Sequence, residues 1–192
     1  DQGLNIQCVE IQRFDSEVTD YTVLATNTVV DHHLSRVRPD RKLNPIYPDV
    51  VRDIVERVFP ELQSVVEVST SETAFQGIES HRPHLRSKHP DHPDDLVYTL
   101  YLRPVEWGYV IVAMDYWGDD DETLNTLRRN AELFEERGFQ ISQDRTRDRI
   151  VRKNWETDST DLLSDDAFLE EVANEFVSLV KTGHEVFTDD GR

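Results

Sequence analysis

The chain is predicted to fold as an α+β domain, with a mainly antiparallel sheet and helices packed on one face, preceded by a β-hairpin. Three observations predict this. Paired β-rich runs are joined by short polar turns, as hairpins require. Single amphipathic helices interrupt these pairs instead of alternating with every strand, which argues against a doubly wound parallel sheet. Only 7 Gly occur, and none falls in the GxGxxG or GxxxxGK(S/T) spacing of a strand-to-helix phosphate cradle.

Leu4, Ile6 and Cys8 alternate well enough to read as a strand. Asp15 to Asp20 is a polar turn, and Tyr21 to Val30 is a second β-rich run, so residues 1–34 are expected to form a hairpin. Ser35 to Pro48 carries Pro39, Pro45 and Pro48 and reads as a linker over 35–48. An α+β domain is expected over 49–192. Pro48 suits the first turn of a helix whose apolar stripe is Val50, Val51, Ile54, Val55 and Val58, ending near Phe59-Pro60.

Gln63 to Val68 is expected as a short strand, and Ser80 to Asp95 as a loop rich in His and Pro. Strands are expected at Leu96 to Arg103 and Trp107 to Asp115, joined by Pro104-Val105-Glu106, a connection short enough for an antiparallel hairpin. Asp119 to Glu122 opens a helix with the stripe Leu124, Leu127, Ala131 and Phe134, closed by Gly138. Phe139 to Gln143 and Arg149 to Trp155 read as two more short strands. A last helix begins at Ser164 with Asp165 and Asp166 in its first turn and is expected to stop near Gly183.

Charge sets the environment. There are 39 acidic residues against 21 basic ones, a formal charge of −18. Asp supplies 22 of the acids, and Arg outnumbers Lys by 17 to 4. Such a surface binds water strongly and needs counterions, which points to a salt-adapted cytoplasm where screening relieves self-repulsion. Cys8 is the only cysteine, so neither an intrachain disulfide nor a Cys-based zinc site can form, and the compartment reads as reducing. The longest aliphatic stretch, Tyr109 to Met114, is far below the roughly 20 residues that span a bilayer, so no membrane partner is expected. There is no initiator Met, and the early start of the first alternating run reads as a fragment that begins inside a folded unit.

Four groups of residues suggest chemistry. Asp31-His32-His33 matches the signature tripeptide of the DHH phosphoesterases, but the further Asp motifs of that family are missing, and a solvated strand end explains the same residues. His81, His84, His89 and His92 form two H-x-x-H pairs near Asp91, Asp94 and Asp95, a composition that suits zinc or another transition metal. Against it, Pro83, Pro90 and Pro93 keep the segment extended, so neither pair is brought onto a helical face. Asp40-Arg41-Lys42 supplies the D-x-K end of a PD-(D/E)XK nuclease motif, yet lies in the linker, not on a sheet. Asp119 to Glu122 could hold a hard cation, although acids at a helix N-terminus are accounted for by the macrodipole. No resident cofactor is expected.

The basic residues are concentrated in three segments: Arg36, Arg38, Arg41 and Lys42; Arg82, Arg86 and Lys88; and Arg145, Arg147, Arg149, Arg152 and Lys153. In an acidic chain this concentration suggests one phosphate-binding face, and an extended backbone would put Arg145, Arg147 and Arg149 on one side. The competing reading is that they pair with the surplus acids as surface salt bridges.

Gly3-Leu4-Asn5-Ile6-Gln7-Cys8-Val9-Glu10-Ile11, followed by Val18 to Val30, resembles the closing strands of PD-(D/E)XK-superfamily nuclease-like proteins. Trp107 to Phe139 is similar to the α+β domain that some members carry after that module, with its Trp-led strand, acidic turn, amphipathic helix and Gly. The resemblance carries over no catalytic residue, because the acids and Lys of such a nuclease would lie upstream of Asp1. It implies a non-catalytic accessory module of a DNA-defence or restriction-type protein, binding DNA, a nuclease core or another protein subunit. The alternatives are a small metal-dependent hydrolase built on His81, His84, His89 and His92, and a salt-adapted protein-interaction domain. The first reading expects the basic segments to converge on one face; the second expects the imidazoles to share a pocket.

Overall fold

The computed structural model describes residues 47–67, 70, 74–78, 80, 82–142, 149–157 and 159–188. The chain divides into two compact units, 1–45 and 46–192, and every described residue belongs to the second. The expected hairpin, the linker up to residue 46, Asp31-His32-His33, Arg36, Arg38 and Asp40-Arg41-Lys42 lie outside the described residues, as do His81, Arg145 and Arg147.

Helix α1, Pro48–Leu62, starts on its proline and buries Val51, Ile54, Val55, Val58 and Leu62. The 3–4 residue spacing of these side chains puts them on one stripe, and each contributes about 1.5–3 kcal/mol by leaving water. Pro60 does not end the helix. In place of the expected strand at 63–68, residues 63–67 are a turn that continues helical bonding: Gln63 donates to the Phe59 carbonyl and Val66 to that of Leu62. Leu62 and Val66 thereby fall one helical turn apart, both fully buried, so core packing overrides the β-branched composition of this run.

Among the described residues six strands follow: β1 (Phe75–Gln76), β2 (His84–Arg86), β3 (Leu96–Arg103), β4 (Tyr109–Tyr116), β5 (Gln140–Ile141) and β6 (Val151–Glu156). They pair antiparallel in the order β1-β2-β3-β4-β6-β5. The centre is the β3–β4 hairpin, in register from Leu96↔Tyr116 to Arg103↔Tyr109. Its connection is one helical turn, α2 (Pro104–Trp107), closed by Gly108 at φ 74°, a left-handed value that a side chain would resist. The His- and Pro-rich loop contains β2, because Leu85 is a core residue with no exposure and fixes the flanking backbone against β3.

The helix expected over 122–138 is two helices, α3 (Glu122–Arg129) and α4 (Ala131–Glu136), separated at Asn130. The break lets Leu124, Leu127 and Phe134 all reach the core. The last helix, α5 (Asp166–Phe187), is capped by the Asp165 side chain, which accepts from the Ala167 N–H. It runs past Gly183 because that glycine is a contact point, not a stop: a Cβ there would meet the Tyr98 hydroxyl and the Met114 methyl.

Helices α1 and α5 pack together on one face of the sheet. Leu96, Tyr98, Leu100 and Leu102 of β3 and Val110, Val112, Met114 and Tyr116 of β4 meet them in the main core. The alternate residues, including Thr99, Tyr101, Ile111, Ala113 and Asp115, point to the opposite face, where Tyr101, Ile111, Ala113 and Tyr109 form a second, smaller cluster. The expectation of an α+β fold with an antiparallel sheet and helices on one face therefore holds.

Candidate nucleic-acid interface

Strand alternation decides what the second face displays. Register with β3 and β4 places His84 and Arg86 of β2 opposite Thr99 and Val97, and Arg152 and Asn154 of β6 opposite Ala113 and Ile111. Arg103 pairs with Tyr109 on that same face. Arg82 and Arg149, just before β2 and β6, reach over it: their guanidinium carbons lie 5.5 and 5.6 Å from the Tyr101 ring centroid. Arg82, Arg86, Arg149 and Arg152 thus come from two segments distant in sequence and meet on one face.

Guanidinium–aromatic contacts organise this surface. Arg86 lies 4.8 Å from the Trp117 ring centre, and Arg103 and Arg149 lie 4.9 and 5.8 Å from that of Trp107. Arg149 also donates to the Tyr109 hydroxyl at 3.2 Å, and Arg86 to the Asp94 carbonyl at 2.9 Å. None of these partners is a carboxylate. Among the described residues Arg86, Arg149 and Arg152 make no ion pair. The helix side behaves otherwise: Arg57 binds Asp53, Asp166 and Glu170, Lys181 binds Glu61, and Arg137 binds Glu185. Lys153 departs from the expected basic set for a geometric reason. As the neighbour of Arg152 in a strand it points the other way, to an ion pair of 2.5 Å with Glu175 of α5.

Beneath the arginines sits a buried acid. Asp115 has no exposure; its Oδ2 accepts from the Thr99 hydroxyl at 3.0 Å and the Tyr101 hydroxyl at 2.6 Å, and its Oδ1 accepts from the Arg149 backbone N–H. Burial pushes the Asp115 carboxyl above its ordinary value, against the opposing pull of these three donors and the Arg82 charge. The middle of the face is closed, with Thr99, Tyr101 and Ala113 at 2 % exposure or less. Its perimeter is accessible: Trp107 and Trp117 are 41 % and 38 % exposed, and Arg82, Arg86, Arg149 and Arg152 are half-buried.

The histidines separate. His84 is on the arginine face, its ring 4.8 Å from that of Trp117; its Nδ1 meets the Arg82 carbonyl at 3.1 Å, and burial lowers its pKa. His89 and His92 are instead grouped with His184 of α5, with His92 and His184 stacked at 4.8 Å between centroids. A carbonyl only accepts, so the contact of His92 Nδ1 with the Pro93 oxygen places the proton there, and Nε2 accepts from the Tyr98 hydroxyl at 2.8 Å. Burial and the neighbouring imidazoles lower the His92 pKa to about 3 and that of His184 to about 4. His89 and His184 border a cleft of about 380 Å³ with Glu67, Lys181, Glu185 and Thr188. Among the described residues no group of three or more His, Cys, Asp or Glu is arranged to hold a metal ion. The acidic turn before α3 has a local role: Asp120 accepts from the backbone N–H groups of Glu122 and Thr123 and from the Tyr116 hydroxyl.

Asp115, Tyr101, Arg103, Trp107, Trp117 and His184 escaped sequence reasoning. Period-2 alternation within β3 and β4 contained the signal for Tyr101, Arg103 and Asp115, since a charged residue inside an apolar strand calls for partners on its own face. For His184 there was none, because its neighbours come from a remote loop. No family model, curated protein or solved structure matches this chain. Among the described residues no helix is long and apolar enough to cross a membrane.

Proposed function

We propose that this chain is a nucleic-acid-binding module, and that it serves as the non-catalytic accessory part of a nuclease-like protein of DNA defence. The binding half of the reading is carried by one observation. Within a chain of net charge −18, Arg86, Arg149 and Arg152 share a sheet face and make no ion pair among the described residues. Arg86 and Arg149, held against aromatic rings, and Arg152 beside them, none paired with a carboxylate among the described residues, retain the charge that phosphate oxygens require. Overall repulsion from the acidic surface confines a polyanion to this face and makes binding strongly dependent on salt. The nuclease association is supported by the resemblance of residues 3–11 and 18–30 to the closing strands of such proteins.

The test is a fluorescence anisotropy titration of labelled DNA at several salt concentrations, with EDTA and with added magnesium or zinc. The reading expects saturable binding whose logarithm falls linearly with log salt, unaltered by chelation. Absence of binding at every salt concentration would overturn it in favour of a protein-interaction domain, and metal-dependent cleavage would turn attention to the histidines.

A further inference from the structure

We infer that the ligand of this face is single-stranded nucleic acid, held by base stacking on Trp107 and Trp117; the inference rests on the nucleic-acid reading above and narrows it. Trp107 and Trp117 are the exposed large hydrophobic side chains of the described residues. Both stand on the arginine face: Trp107 against Tyr109, Arg103 and Arg149, Trp117 against His84 and Arg86. They flank β4 in the chain, one just before Tyr109 and the other just after Tyr116. Eight residues of antiparallel strand extend roughly 27 Å, so the two indoles bracket a span suited to several nucleotides.

A duplex would leave this arrangement unused. Its bases are stacked on one another, and it offers phosphates and groove edges to a protein; only unpaired bases present ring faces to an indole. An exposed tryptophan costs solubility, and here each of the two has a half-buried guanidinium beside it: Arg86 lies 4.8 Å from the Trp117 ring centre and Arg149 5.8 Å from that of Trp107. That pairing of a stacking surface with a phosphate-directed cation is what a strand of alternating base and phosphate can engage at both ends. The closed middle of the face, over Thr99, Tyr101 and Ala113, agrees with contact made at the two ends.

The experiment compares fluorescein-labelled oligo(dT) with a blunt duplex of equal length, at fixed salt, for the whole chain and for W107A/W117A and W107F/W117F. The expected result is tighter binding of oligo(dT) than of duplex, a loss of about tenfold per tryptophan removed in the alanine pair, and retention of most of the affinity in the phenylalanine pair, which keeps a ring face. Circular dichroism reports whether each variant folds; should the alanine pair unfold, the comparison of oligo(dT) with duplex in the parent decides alone. Salt-dependent binding of both DNAs with equal affinity would overturn the single-strand inference and leave the nucleic-acid reading standing. Binding of neither at any salt would overturn both.

Discussion

The Arg149 backbone N–H is donated to the buried carboxylate of Asp115, and Arg149 has a φ of 54°, in the left-handed region that a non-glycine residue enters at a cost of about 1–2 kcal/mol. The hydrogen bond accounts for the conformation: it holds the backbone of Arg149 down on the sheet so that its guanidinium reaches Tyr101 and Trp107. Asp115 is thus the anchor of the arginine face. Asp115→Ala leaves the Thr99 and Tyr101 hydroxyls and the Arg149 N–H without their acceptor, and is expected to lower unfolding stability by about 3 kcal/mol. The sign of the pH effect follows from the raised carboxyl pKa. The folded state holds its proton more tightly than the unfolded chain, with its ordinary value of 3.8. The contribution is therefore full below that value and lost as pH rises through the folded pKa, so the gap between parent and variant in urea unfolding should be widest in acid.

Arg149→Gly separates fold from binding. Glycine keeps the N–H that Asp115 accepts and enters the left-handed region without strain. That relief offsets the guanidinium's interactions with Tyr101 and Trp107, worth about 0.5–1 kcal/mol each. Denaturant unfolding should change by less than about 1 kcal/mol, while DNA affinity measured at low salt should drop severalfold.

The buried imidazoles predict acid sensitivity. His92 and His184 are held at about 3 and about 4, against 6.5 in an unfolded chain. Lowered values mean that their stabilising contribution is present above pH 6.5 and is lost as pH falls from 6.5 through the folded values, because the unfolded chain takes up the protons first. Tyr98, His89 and Phe187 surround the pair, and Glu67, Glu185 and Lys181 share the cleft that His184 borders; burial and His89, not these charges, set the lowered His184 value. The melting temperature should fall between about pH 6.5 and 4. His184→Phe keeps a ring stacked on His92 and removes a buried Nε2 that has no hydrogen-bond partner among the described residues; its melting temperature at pH 7 should match or exceed that of the parent, with a shallower decline in acid.

The −18 charge predicts that salt stabilises the fold. Screening weakens repulsion among the surplus carboxylates, so the melting temperature should rise from dilute to molar salt. An unchanged value would remove the case for a salt-adapted surface.

Local pattern made much of this fold legible. The stripe of α1, the hairpin of β3 and β4 and the N-terminus of α5 follow from spacing, proline placement and capping residues close together in sequence. What failed depended on tertiary packing. Gln63 to Glu67 is rich in β-branched residues, yet Val66 completes a helical stripe beneath the core. Gly183 reads as a helix stop, yet permits the close approach of α5 to Tyr98 and Met114. At the site, clustering of Arg82, Arg86, Arg149 and Arg152 was visible, whereas the side taken by each depended on register. Lys153 shows this, since adjacency to Arg152 sends it to Glu175 on the opposite face. The parting of His84 from His89 and His92 has the same origin: β2 turns His84 outward, and the segment after it carries the other two toward α5.

The most direct test of the arginine face is the salt dependence of DNA binding by R86E/R149E/R152E, measured beside R52E/R129E/K181E, which makes the same charge change elsewhere on the surface. The first triple is expected to weaken binding uniformly across sequences and to reduce the log–log salt slope by roughly three, one for each arginine that no longer neutralises a phosphate, while the control keeps the parent's slope. Equal slopes for the two triples would contradict it.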